Sequence, residues 1–129
     1  MLGELEGERE FVVGDLEAGT GTVLRLTEGL VDVVLVVAQP TAKALDVAGR
    51  AARTAARRGI PVVVLANRVR DEADAAAVRA ALGEHEIVTI PDDPGVLEAD
   101  RQGLAPIDVA PEGPAVRALV EVARGLAAA

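Results

Sequence analysis

The run Val33-Val34-Leu35-Val36-Val37 is apolar at every position. A strand with one solvated face alternates apolar and polar side chains. An unbroken run of mostly β-branched residues instead belongs to a strand covered on both faces. This run lies within the mostly apolar stretch Val31–Ala38, and three other short apolar runs accompany it: Phe11–Val13, Pro61–Ala66 and Glu86–Ile90. Between and after them lie Ala- and Arg-rich stretches, Thr41–Arg58, Glu72–Leu82 and Pro114–Ala128. In Ala44–Arg58, Leu45, Ala48, Ala52, Ala55 and Ala56 fall at helical spacing, while Arg50, Arg53, Arg57 and Arg58 fall largely on the other side. Gly59 stands where a helix stop is needed before Ile60-Pro61. Strands alternating with helices through short connections predict an α/β fold. It has three layers: a mostly parallel sheet of strands near residues 11–15, 32–38, 61–66 and 86–90, with helices on both faces.

Composition narrows the function. The chain has 129 residues, which suits one domain. We read 1–10 as an acidic lead-in and 11–129 as a single α/β domain. Phe11 is the one aromatic residue, so no platform exists for stacking bases of a nucleic acid. The formal net charge of −8 opposes phosphate-backbone contacts, and no nucleic-acid partner is expected. With no cysteine and one histidine, His85, disulfides, thiolate chemistry and a histidine-based metal site are not expected. No apolar run approaches a membrane-spanning length, and no leader pattern opens the chain. A cytoplasmic protein without membrane insertion is the expectation.

In an open parallel sheet, ligands bind at the carboxyl ends of the strands. Each expected strand ends there in polar residues. The first leads into Asp15-Leu16-Glu17-Ala18-Gly19, the second into Gln39-Pro40-Thr41, the third into Asn67-Arg68-Val69, and the fourth into Pro91-Asp92-Asp93-Pro94. Turns and helix caps use the same residue types, and Thr41, Asp71 and Asp93 suit N-caps. Asp15 reads either as a metal-water or phosphate-side acid or as a turn residue capping a helix that starts near Thr20. Asn67 reads a base edge with its amide, or satisfies its own turn. Lys43, the one lysine, falls in the first turn of a helix and reads as solvated. His85, within Gly83-Glu84-His85-Glu86, reads as a solvent-facing loop residue.

Taken in order, these pieces resemble the deviant P-loop ATPase family of the MinD, ParA and CooC type over roughly residues 11–127. Asp15–Gly19 looks like the family's Asp-x-x-Ala-Gly switch motif. Asn67-Arg68-Val69 looks like its Asn-Lys/Arg-Val motif, and Ile90-Pro91-Asp92-Asp93 like its Ile-Pro-x-Asp turn. Val96–Asp100 through Gly103 and Pro106 looks like the helix that follows. The resemblance implies ATP and magnesium as cofactors. It implies Asp15 as the acid holding a magnesium-bound water, Gly19 as an amide facing the terminal phosphate, and Asn67, Arg68, Pro91, Asp92 and Asp93 as the base-side residues. The family's Gly- and Lys-rich phosphate loop has no counterpart in these 129 residues, and that loop supplies most of the phosphate binding.

Two functions follow as expectations. One is an ATP-dependent switch that works when a partner supplies the phosphate loop, with the isolated chain hydrolysing no ATP. The other is a nucleotide-independent interaction module, or a truncated fragment without function. In the family the phosphate-loop strand lies between the switch strand and the next one. Its absence predicts a gap that closes by direct pairing or is filled by a homodimer or a complementing half.

Overall fold

The computed structural model describes residues 11–16 and 29–128. It is an α/β fold built on a parallel three-stranded sheet in the order β1-β2-β3. The strands are β1 (Val34–Ala38), β2 (Val62–Val69) and β3 (Glu86–Pro91). The helices are α1 (Ala42–Arg57), α2 (Glu72–Leu82), α3 (Pro94–Gln102), the single-turn α4 (Pro106–Val109) and α5 (Pro114–Ala128).

Local chemistry accounts for the helix bounds. The Thr41 hydroxyl accepts from the Ala44 amide and starts α1. Asp71 does the same for α2 through the Asp74 amide, and Asp93 for α3 through the Gly95 amide. A side-chain acceptor at this position satisfies one of the four amides that a helix start leaves open. Two helices end at glycines with positive φ, Gly59 at 75° and Gly103 at 67°, a conformation in which a Cβ is penalised.

Register decides which side chains meet. Val34, Val36 and Ala38 stand beside Val62, Val64 and Ala66. They form one core with Ala48, Ala52 and Ala55 of α1 and with Val78 and Leu82 of α2. The residues between them point the other way. There Leu65 and Ile90 pack with Ala115 of α5, flanked by Val63, Val88, Val96, Ala118 and Val122. The two crossover helices α1 and α2 thus lie against one face, and the chain after β3 packs on the other.

Two expectations need correction. Residues 11–16 carry no regular secondary structure and are exposed, so the first expected strand is not part of the described sheet. The apolar run before Gly14 is three residues long, Phe11–Val13. A segment this short has no strand identity without a neighbouring edge to pair with. His85 is not solvent-facing: its side chain is 10% exposed. Its amide donates to the Leu82 carbonyl at 3.0 Å, which folds the turn back beneath the end of α2. Residues 1–10, Gly19 and most of the helix expected near Thr20–Gly29 lie outside the described residues.

Candidate functional site

Adjacent strands whose outgoing connections turn to opposite faces leave a crevice between their carboxyl ends. β2 leads to α2 on one face, and β3 leads to α3 and α5 on the other. The groove found there has a volume of about 440 Å³. Its polar rim is Asn67, Arg68, Asp92 and Asp93. Its apolar wall is Val96, Leu97, Leu104 and Pro106, with Asp100 at the side.

β2 reaches the groove through an irregularity. Its pairing with β3 runs regularly to Ala66↔Thr89, then shifts, and resumes at Val69↔Pro91. Asn67 and Arg68 are the residues set free. Arg68 has φ of 59°, the one positive φ at a non-glycine among the described residues. A left-handed side-chain-bearing residue costs on the order of 1–2 kcal/mol, and bulges that re-aim side chains collect beside binding sites. Arg68 Nε donates to Asp92 Oδ1 at 3.2 Å, with both side chains substantially exposed. Asp92 is itself fixed by its amide, which donates to the Val69 carbonyl at 2.9 Å.

Asp93 has a structural task. Its Oδ1 accepts from the Gly95 amide at 2.8 Å and its Oδ2 from the Ala115 amide at 3.2 Å. One carboxylate thereby ties the starts of α3 and α5 together, where both helix dipoles favour negative charge. A Cβ on Gly113 would meet Asp93 Oδ2 at 2.6 Å, so this carboxylate's position depends on glycine there. At the far end of α3, left-handed Gly103 turns the chain so that the Leu104 amide reaches the Ala99 carbonyl at 2.9 Å. The same reversal carries Leu104 into the groove wall.

Below the groove, Arg70 and Asp74 form a pair that the sequence did not single out. Arg70 Nε donates to Asp74 Oδ2 at 2.9 Å, Arg70 Nη2 to Oδ1 at 3.3 Å, and the Arg70 amide to Oδ2 at 3.0 Å. Asp74 is the one buried charged residue among those described. The guanidinium hydrogen bond and then the Arg70 amide hold its carboxyl below the usual carboxylate range, and the same bond raises Arg70. The i,i+4 spacing was the available signal, though this spacing also suits a solvated surface pair.

Of the residues expected from sequence, Asn67, Arg68, Pro91, Asp92 and Asp93 line this one groove. Asp15 does not: it sits on the exposed 11–16 segment and is not part of the lining. Among the described residues no group of three or more His, Asp or Glu side chains could hold a metal ion, and no helix is long and apolar enough to cross a membrane.

The groove suits the two ends of a nucleotide differently. Its apolar wall and the Asn67 amide fit a flat heterocycle that needs apolar contact and a few polar partners. A triphosphate with magnesium does not fit the described residues. The one lining cation, Arg68, is engaged by Asp92, and Asp93 and Asp100 add further negative charge. The α3 amide at Gly95 that could face an anion is already taken by Asp93. The chain matches no family model and no curated protein.

Proposed function

We propose that this domain binds the base of a nucleotide in the groove after β2 and β3, and that a complementing polypeptide supplies the phosphate-binding loop. ATP with magnesium then acts as the ligand of the complex, and the assembly works as an ATP-dependent switch. The proposal includes a P-loop-like origin for the fold: its sheet with helices on two sides would be the part of a three-layer nucleotide-binding domain that follows the phosphate loop. The observation that carries the reading is the left-handed Arg68 beside Asn67. A strained bulge is held at the mouth of an apolar groove, where successive connections of the described sheet part.

The isolated chain hydrolyses no ATP in this account, because Asp15 stands away from the groove and no lining residue compensates phosphate charge. Amide chemical-shift mapping tests the binding site. Adenosine should perturb Asn67, Arg68, Asp92, Val96 and Leu104 together, and Asn67→Ala should weaken the response more than Lys43→Ala. Perturbations that spare these residues at saturating adenosine would remove the base-binding reading. Magnesium-dependent ATP turnover abolished by Asp15→Asn would overturn the inactive assignment.

A nucleotide-independent interaction module is the second reading. It draws on the exposed apolar side chains of residues 11–16 and β1. No response to any nucleoside, together with tight binding of a protein partner, would favour it.

A further inference from the structure

α1 stands apart from the rest of the chain in charge. Ala42–Arg58 holds five of the 13 basic residues and one of the 21 acidic residues. This stretch therefore carries +4, and the remainder of the chain carries −12. Its inner side is taken up by the core, where Ala48, Ala52 and Ala55 are buried. Helical periodicity aligns Lys43, Asp46, Arg50, Arg53 and Arg57 on the opposite side, and all five are exposed. This stripe runs about 21 Å along the helix. None of its residues lines the groove after β2 and β3.

The other helices treat their cations differently. Every arginine of α2, α3 and α5 reaches a glutamate: Arg79 meets Glu72, Arg101 meets Glu98 at 3.9 Å, Arg117 meets Glu112 at 3.2 Å and Arg124 meets Glu121 at 2.7 Å. On α1, Asp46 serves Arg50 at 3.0 Å, and Lys43, Arg53 and Arg57 have no carboxylate partner among the described residues. Arg53 lies three residues from Arg50 and four from Arg57, spacings at which like charges destabilise a helix. Lys43 stands in a first turn that holds no acidic residue, where the helix dipole favours the opposite sign. The stripe thus works against the helix that bears it, and an acidic surface laid over it would relieve both penalties.

We propose that the outer face of α1 docks a short acidic segment of another protein, whose carboxylates meet Lys43, Arg53 and Arg57. This docking is separate from base binding, since the stripe and the groove share no residue. Extended polyanions fit the face poorly. A nucleic acid longer than the stripe would run on over a surface of net −12. An anionic membrane would meet the same repulsion, and α1 has no free apolar side to insert because the core occupies it. A second copy of the chain has few carboxylates to offer among the described residues. Glu72, Glu98, Glu112 and Glu121 already serve arginines, and Asp93 serves two backbone amides.

Fluorescence anisotropy of a labelled peptide of about eight glutamates, long enough when extended to span the stripe, reads the docking. The full chain should bind it at low ionic strength, and binding should fade as salt rises past about 0.15 M. Arg53→Glu/Arg57→Glu should weaken it about tenfold or more. Arg117→Glu/Arg124→Glu makes the same charge change at exposed arginines of α5 and should weaken it far less. Arg53→Glu alone removes the repulsion toward Arg50 and Arg57. It should melt no lower than wild type, which separates lost binding from lost fold. No binding at low salt, or equal weakening by the two double variants, would overturn the proposal. So would tighter binding of oligothymidylate or of phosphatidylserine vesicles than of the peptide, which would make the face a nucleic-acid or membrane site. Low-salt dimerisation of the chain that Arg53→Glu/Arg57→Glu abolishes would also overturn it, because the occupant would then be a second copy.

Discussion

At the residue scale, the groove depends on positions where one side chain serves two elements. Asp93 caps α3 and ties in α5, and Gly113 leaves room for its Oδ2. Asp93→Ala removes both bonds and should cost about 1–2 kcal/mol in urea unfolding. Gly113→Ala forces a methyl against the same oxygen and should cost about 1–3 kcal/mol, whereas alanine at exposed Gly125, where a Cβ meets nothing within 4 Å, should not destabilise. Arg68 gives a third comparison. Its left-handed backbone predicts that Arg68→Val lowers stability by about 1–3 kcal/mol, while Arg68→Gly, which removes the same guanidinium, does not. Equal losses in both variants would mean that the Asp92 ion pair, not the backbone, sets the stability of this turn.

Asp74 provides a pH signature. Its folded carboxyl lies below the usual range because Arg70 donates to the charged form. Its contribution is therefore complete above the unfolded-state value of about 3.9 and is lost as pH falls through the folded value. Asp74→Asn should melt below wild type at neutral pH, with the gap closing as pH drops below about 4. A gap that stays constant through the acid range would assign the loss to packing.

At the element scale, much was legible because periodicity and caps are local. The helices expected at Thr41–Arg58, Glu72–Leu82 and Pro114–Ala128 correspond to α1, α2 and α5. Thr41, Asp71 and Asp93 cap as their residue types suggest. Unalternated apolar runs likewise marked β1, β2 and the body of β3. The small residues on the inner side of α1 let it lie close to the sheet: Ala52 and Ala55 have no exposed surface. Ala52→Leu should therefore cost about 1–3 kcal/mol by overpacking, and a neutral outcome in thermal melts would mean that α1 can shift outward freely. What failed was what depends on distant contacts. Phe11–Val13 has strand-like residues but no described edge beside it. His85 looks polar and exposed in Gly83-Glu84-His85-Glu86, and only the fold shows it tucked in. Its Nε2 lies 3.4 Å from Glu84 Oε1, an ion-pair distance without hydrogen-bond geometry. The bulge at Arg68 was illegible for the same reason, since it arises from a register shift between two strands.

At the scale of the whole molecule, the proposed base site and the phosphate site belong to different polypeptides. The described residues offer an apolar groove with a polar rim at the parting of β2 and β3. They do not offer a cradle for phosphates, and the chain's charge of −8 opposes a polyanion at long range. Phosphates should add nothing to binding by this chain alone. Calorimetric titration of the purified protein with adenosine and with ATP plus magnesium, in the same buffer, measures that difference. Dissociation constants should fall in the millimolar range for both, about −4 kcal/mol, with adenosine binding no more weakly than ATP. Micromolar binding of ATP alongside millimolar binding of adenosine would contradict it, because the phosphates would then be held by this chain itself.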